Sequence, residues 1–381
     1  MIEIEILPIE SRYNLDVLSA YFRKNIEDHE QLDTILFPKL KENLYNVDQF
    51  SLEAIFYNYF SGRAKIRIPH QSHALLHYLP AMLGTATLAT PDPEVAVREF
   101  GGLIEDVSKS MPDSTIVLPI SRIFRAFHKW PFAMQLPPNV IAVSIETFLP
   151  HPNAITAPYP SNYFYPQGGL AQAVDEKLKA KKGDACFFGK PRRNNHMRTQ
   201  ILKTLHGRQN VEIMAEFSGM GRKHLLSDQD VIAMDCLRKR SRFSIELPGD
   251  SPSRKGIYDA ILSGTIPVLF ESGRFNFPFT EVFPWLEACI FIGPAQEAHM
   301  IEGRASLADV LAAESEEQYR RRMQLIAKHG EIFQYTPRYL HDEGCVDAFS
   351  LTMISAASLA ERRRLLSEFT QQKWGIEANG A

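Results

Sequence analysis

Short apolar runs alternate with amphipathic stretches along almost the whole chain, and the two differ in period. Ile2-Glu3-Ile4-Glu5-Ile6-Leu7 repeats every second residue, as a half-buried strand does. Behind Asn14, a side chain suited to cap a helix, Leu15, Val17, Leu18, Tyr21 and Phe22 fall at helical spacing, and residues 52–60 repeat that spacing. Residues 74–80, 115–118 and 140–145 are continuous apolar runs, with a helical stretch over 93–107. Strands that are apolar on both faces belong to a parallel sheet covered by helices on both sides. From residue 150 to 169 the periodicity fades and Pro150, Pro152, Pro158, Pro160 and Pro166 accumulate, which predicts a linker. The alternation then resumes, with strands at 185–188, 211–214, 242–247, 265–270 and 289–292. Helices are predicted at 196–205, 231–238, 315–329 and 356–369, and a short one between Arg254 and Gly264. The pattern predicts two doubly wound α/β domains, residues 1–160 and 161–340. A helical segment, 341–381, is expected to pack back on the first.

Length and composition agree with two ordinary domains: 381 residues exceed what one core organises. Forty-two Lys and Arg against 45 Asp and Glu leave a formal charge of −3, which argues against a general nucleic-acid binder. Cys186, Cys236, Cys289 and Cys345 form no CxxC pair and read as reduced core thiols. No apolar run reaches the ~18 residues of a membrane span.

The densest chemistry lies between Arg242 and Phe270. An apolar strand ends in Pro248-Gly249-Asp250-Ser251-Pro252-Ser253-Arg254-Lys255, a helix follows at once, and Thr265-Ile266-Pro267-Val268-Leu269-Phe270 begins the next strand after Gly264. A polar loop at a helix start presents unpaired backbone N–H groups and the positive end of the helix dipole to an anion, and Arg254 and Lys255 add full charges. A phosphate-bearing ligand suits it. Asp228-Gln229-Asp230 imitates a metal-holding Asp-x-Asp, but it follows Ser227 and opens an apolar-periodic helix. Helix capping explains it better, and no catalytic metal is expected.

The segment 243–270 resembles the signature of exostosin-type glycosyltransferases of family 47, and within them the plant branch of xyloglucan galactosyltransferases. There Pro-Gly-Asp-Ser precedes a basic pair and Asp-x-x-x-x-Gly-x-Ile-Pro-Val follows. Phe188-Gly189-Lys190-Pro191-Arg192, with Asn194 and Arg198 behind it, is similar to that branch's Phe-x-Gly-x-Pro-Arg. Ser144-Ile145-Glu146 and the stretch from Pro158 to Pro166 match its Ile-Glu and Pro-Tyr-Pro motifs. Two positions depart from the pattern: Asp113-Ser114-Thr115 stands in place of Asp-His-Phe, and Thr265 in place of Cys.

The resemblance implies a GT-B fold, two facing Rossmann-like domains with an interdomain cleft, the acceptor side N-terminal and the nucleotide-sugar side C-terminal. It implies an inverting transfer of a sugar, galactose or a related one, from a nucleotide sugar, UDP-linked by expectation, to a hydroxyl of a glycan acceptor. No cofactor beyond that co-substrate is expected. On this reading Arg254 meets the donor diphosphate, since its fork of N–H donors neutralises two phosphates and the charge growing on the leaving group. Gly249, Ser251 and Ser253 offer backbone or hydroxyl donors to the same phosphates, or simply cap the helix. Lys255 points elsewhere on the helix and ranks lower. Asp259, about one turn in, is placed for the ribose hydroxyls, or is a solvated helix acid. Gly189, Arg192 and Arg198 lie toward the same cleft, with a surface salt bridge as the alternative for the arginines. Glu146, at the end of an N-terminal strand, is the candidate base, with Asp250 second and His77 and His151 behind them. Tyr57, Tyr59 and Phe60 stack on an acceptor sugar or belong to the core.

Other readings remain open. A kinase or dehydrogenase with a similar loop lacks support, because neither G-x-x-x-x-G-K-[ST] nor an early G-x-G-x-x-G is present. A non-catalytic nucleotide- or glycan-binding protein that retains the fold is the stronger alternative. A cytoplasmic location is expected, or the Golgi lumen if an N-terminal anchor is missing from this chain, with peripheral membrane contact through Arg238-Lys239-Arg240 a weaker expectation.

Overall fold

The computed structural model describes all residues except 27–28, 61–62, 64, 71–72, 122–135, 146–151, 181–182, 190–195, 206–210, 215–225, 250–252, 272–275, 338–345 and 375–381. Through Thr156 the described strands are β1 (Ile2–Ile6), β2 (Lys39–Lys41), β3 (Leu44–Tyr45), β4 (Lys65–Ile68), β5 (Ala74–Tyr78), β6 (Thr115–Pro119), β7 (Val140–Ser144) and β8 (Ala154–Thr156). The helices of this part are α1 (Leu15–Phe22), α2 (His29–Leu36), α3 (Leu52–Phe60), α4 (Leu83–Ala89) and α5 (Pro93–Ser110). A six-stranded sheet runs in the order β4-β1-β5-β6-β7-β8, while β2 and β3 form a separate ribbon. All neighbours in the six-stranded sheet are parallel except β4, which runs antiparallel along β1. β7 is buried at every position, as its unbroken apolar run requires, whereas β1 buries Ile2 and Ile4 and turns Glu3 toward the edge strand. There Glu3 pairs with Arg67 at 2.8 Å, and the charges of β4 keep the edge from adding another strand.

The second α/β unit is built from α6 (Gly169–Lys179), β9 (Gly183–Phe188), α7 (His196–Leu205), β10 (Val211–Met214), α8 (Asp228–Arg240), β11 (Ser241–Ile245), α9 (Lys255–Leu262), β12 (Ile266–Phe270), α10 (Trp285–Ala288), β13 (Ile290–Ile292), α11 (Pro294–Ile301), α12 (Leu307–Ala312) and α13 (Glu316–His329). Its five parallel strands lie in the order β10-β9-β11-β12-β13. The chain steps from β9 outward to β10 and then back across to β11, so the order reverses between β9 and β11. In open α/β sheets the crevice at the carboxyl ends of such strands is where ligands bind. The two Rossmann-like units are those of the expected GT-B fold. After them α14 (Ala348–Trp374) returns to lie against β5 and β8 of the first sheet.

Local chemistry sets the element ends. The Asn14 side chain accepts from Leu15 N at 2.6 Å at the start of α1, and Ser315 with Gln318 forms a complete capping box on α13. α9 stops at Gly264, whose φ of +63° suits a residue without Cβ.

The proline-rich segment departs from expectation. It contributes β8, the sixth strand of the first sheet, and beyond it Ala157, Tyr159, Tyr163 and Tyr165 are buried core. A segment without regular structure can be buried only if its backbone polar groups find partners. Here side chains supply them: Gln334 bonds both N and O of Tyr165, at 2.9 and 3.0 Å, and the Tyr335 hydroxyl donates to Pro158 O at 3.0 Å. Cys186 and Cys289 are buried thiols, but Cys236 is exposed on α8, and Cys345 lies outside the described residues.

Candidate active site

The loop after β11 is placed by what flanks it. Leu247 and Glu246 continue the strand inward, both buried, and Gly249 is half-buried at the turn. Arg254 occupies the N-cap position of α9 with extended backbone and no side-chain cap bond, so its guanidinium is directed elsewhere. Nη1 donates to Leu247 O at 2.6 Å and Nη2 to Phe188 O at 3.0 Å. Phe188 ends β9 and Leu247 lies two residues beyond β11, so Arg254 spans the point where the strand order reverses. Its Nε forms an ion pair with Glu246 Oε2 at 3.1 Å. Each Nη carries two N–H groups, so two of the five donors lie beyond these contacts, on a side chain that is 20% exposed.

Gly189, at the end of β9, has a φ of +142°, and a Cβ built there would fall 2.1 Å from Arg198 Nη2. Arg198 is buried and lies over the Phe187 ring at 5.1 Å, while Arg254 approaches the same ring at 5.8 Å. The structure therefore gathers Gly189, Arg198 and Arg254 around one strand end. Neither arginine is a surface residue in a solvated salt bridge. Arg192, Asp250, Ser251, Glu146 and His151 lie outside the described residues.

Three expectations are corrected. Ser253 does not cap α9: it is buried, and Oγ donates to Ile145 O at 2.9 Å, tying the loop to the carboxyl end of β7. Lys255 faces inward, and Nζ donates to Pro160 O at 2.7 Å and lies 3.4 Å from Asp259 Oδ1. Burial lowers its pKa to about 8, although Asp259 opposes the change. Asp259 is neither solvated nor open to a ribose, being 1% exposed. Its Oδ1 accepts from Ser161 Oγ and Asn162 N, both at 2.8 Å, and Oδ2 lies 3.7 Å from Arg238 Nη1. Burial alone would raise its pKa, but Lys255, Arg238 and the two hydrogen bonds outweigh it and hold the carboxylate below its ordinary range.

The entry to α9 thus reaches three ways, to the end of β7 through Ser253, to both strand ends of its own sheet through Arg254, and to the connecting segment through Lys255. A second bridge between the units starts from Asn46, whose Nδ2 donates to Leu226 O and Asp228 Oδ1 at 3.0 and 2.9 Å. Asp228 and Asp230 are engaged as a helix start, with Ser227 Oγ accepting from Asp230 N at 3.1 Å. Among the described residues no three His, Cys, Asp or Glu side chains cluster as metal ligands would.

Sequence reasoning missed Glu246, Arg238 and Glu53. The first is a charge inside an apolar strand end, a signal that was present. Arg238 read as a solvated helix terminus, yet it is buried over the Phe188 ring at 4.5 Å. Glu53 accepts from Gly84 N and Thr85 N, both at 2.7 Å, and from Thr85 Oγ1 and Ser121 Oγ at 2.5 and 3.2 Å. At 1% exposure it reaches no substrate. Tyr59 and Phe60 are core, and Tyr57 is half-buried. Of the two departures from the family pattern, Asp113 precedes the amino end of β6, away from the strand ends that meet the loop. Thr265 is buried, bonded to Arg238 O at 3.1 Å and to Lys177 Nζ.

Residues 130–302 match the Exostosin GT47 domain. Three similar proteins are from Arabidopsis thaliana. Probable xyloglucan galactosyltransferase GT15 is 30% identical over 145 residues, 35% of this chain and 29% of that protein. Probable xyloglucan galactosyltransferase GT13 is 27% identical over 245 residues, 60% and 48%. Xyloglucan-specific galacturonosyltransferase 1 is 26% identical over 271 residues, 65% and 40%. The match spans less than half the length of each of these relatives. Among solved structures, the chain has a distant likeness in architecture to sucrose-phosphate synthase from Thermosynechococcus elongatus, at 10% identity, 78% of this chain, 69% of that chain and TM-score 0.33. The catalytic domain of Starch Synthase IV from Arabidopsis thaliana gives 10% identity, 81%, 76% and 0.35. Residues 130–302 thus match the Exostosin GT47 domain on a chain of two Rossmann-like units, and the chain is similar to glycosyltransferases of the plant xyloglucan branch.

Proposed function

We propose that this protein is an inverting, metal-independent glycosyltransferase that moves a sugar, galactose or a related one, from a UDP-sugar to a hydroxyl of a glycan acceptor. The observation that carries the reading is Arg254 at the strand-order reversal, held by the carbonyls of Phe188 and Leu247 beside the N-terminus of α9. A cation and a helix start at that point suit a diphosphate. In the reaction the acceptor oxygen forms its bond to the anomeric carbon as the bond from that carbon to the diphosphate oxygen breaks. The electron pair leaves with UDP, and Arg254 stabilises the charge that grows there. The acceptor proton passes to a carboxylate. Glu146 is the proposed base, because it directly follows Ile145, whose carbonyl bonds Ser253 of the donor loop. Asp250 is the second candidate.

The test is a thermal-shift panel of UDP, GDP, CDP and their sugars, with and without EDTA, on the wild type and Arg254→Ala, followed by a transfer assay with xyloglucan oligosaccharides. A ligand bound to the native state raises Tm by linkage. Selective stabilisation by UDP compounds, unchanged by EDTA and lost in Arg254→Ala, is expected. No shift with any nucleotide would remove the donor site, and stabilisation without transfer would favour a binding protein on the same fold.

A further inference from the structure

We infer that Glu246 is the positioning residue for Arg254, and that position 256 is glycine to make room for it. The inference rests on the reading of Arg254 as the diphosphate ligand. Glu246 is a charged side chain at the end of a core strand, 1% exposed, where an unpaired carboxylate would be strongly unfavourable. Its Oε1 accepts from Ser244 Oγ at 2.8 Å, and its Oε2 faces Arg254 Nε at 3.1 Å. Ser244 is itself fully buried on β11, so the carboxylate is anchored to the rigid part of the sheet rather than to the loop. The backbone N of Glu246 donates to Val268 O at 3.0 Å, which locks its Cα against the neighbouring strand.

Gly256 is the second observation. A Cβ there would sit 2.3 Å from Glu246 Oε2 and 2.9 Å from Oε1 and Cδ, closer than any real contact. The first turn of α9 therefore passes directly over the carboxylate, and any larger residue would have to push it aside. Gly256 has no positive φ, so its backbone conformation does not call for glycine, and the space taken by Glu246 does. Ser244, Glu246, Arg254 and Gly256 thus form one device. The sheet fixes the carboxylate, the carboxylate pairs ionically with Nε, and the carbonyls of Leu247 and Phe188 take one N–H from each Nη, so that the described residues leave one N–H on each Nη for a ligand. Pre-setting the fork in this way removes the ordering cost that a free arginine would meet on binding.

UDP affinity by calorimetry on Glu246→Ala, Glu246→Gln, Gly256→Ala, Arg254→Ala and the Glu246→Ala/Arg254→Ala double variant tests it, with each variant's fold checked by circular dichroism. Loss of a buried charge-assisted contact predicts about tenfold weaker UDP binding in Glu246→Ala and in Gly256→Ala. Glu246→Gln, which keeps the shape and a polar oxygen beside Nε but not the charge, should fall between the wild type and Glu246→Ala. In the Arg254→Ala background, titrated at UDP concentrations high enough to read its residual affinity, the Glu246→Ala change should have no further effect, which a merely structural role would not produce. Wild-type affinity in folded Glu246→Ala and Gly256→Ala, with binding strongly weakened in Arg254→Ala, would overturn the positioning role alone. Unchanged UDP binding in Arg254→Ala, or none in the wild type, would instead overturn the donor-site reading and this inference with it.

Discussion

Between pH 4.5 and about 7 the folded chain holds a proton on Glu53 that the unfolded chain has released. Burial raises this pKa, and the hydrogen bonds from Thr85, Gly84 and Ser121 only partly offset it. A group whose folded pKa is raised contributes stability that is complete below the unfolded value and is lost as pH rises through the folded one. The whole effect is on the order of 3 kcal/mol. Urea unfolding at pH 5 and pH 8 should show the wild type losing stability across that interval and Glu53→Gln losing less. Equal slopes in the two proteins would mean that Glu53 ionises normally. Residues of this kind set the limit of what the sequence disclosed. Arg254 stood out because its neighbours were loop residues at a helix start, a local signal. Asp259 had an equally suggestive local spacing, and its partners Ser161, Asn162 and Arg238 came from distant parts of the chain. Only tertiary packing decides whether a helix acid faces solvent or a buried cation.

At the scale of elements, periodicity located the longer strands and helices because each buries one continuous face. β8 and the buried stretch behind it escaped, since three residues among prolines carry no period and their backbone is satisfied by side chains from the other unit. The turn from α9 into β12 was legible, because Gly264 marks a left-handed cap whatever surrounds it. Its strength can be measured. A Cβ at position 264 would approach Val174 Cγ2 to 3.0 Å while adopting a positive φ, so Gly264→Ala should cost about 1–2 kcal/mol. Chemical denaturation of the two proteins would read this, and a variant as stable as the wild type would show that α9 ends without strain.

Over the whole molecule, the two units meet at the loop before α9 and again where α14 returns to the first sheet. Phe349 is fully buried, stacked on Tyr59 at 4.1 Å between ring centres and edge-on to Phe56 and Phe60. The Tyr59 hydroxyl donates to Asp347, just ahead of the helix, so α14 is fastened by a polar contact as well as an aromatic one. Phe349→Ala should destabilise the protein by about 3–5 kcal/mol and increase binding of an apolar dye such as ANS. A loss below about 1 kcal/mol would mean that α14 only rests on the surface.

The same closure sets an order of events during synthesis. Every strand of the second sheet, from β9 to β13, has left the ribosome before Asp347 and Phe349 are made. The unit translated first is therefore completed last. The side of Phe56, Tyr59 and Phe60 that Phe349 covers stays open while the rest of the fold is produced, and apolar surface left open in this way is what makes a nascent chain prone to misassociation.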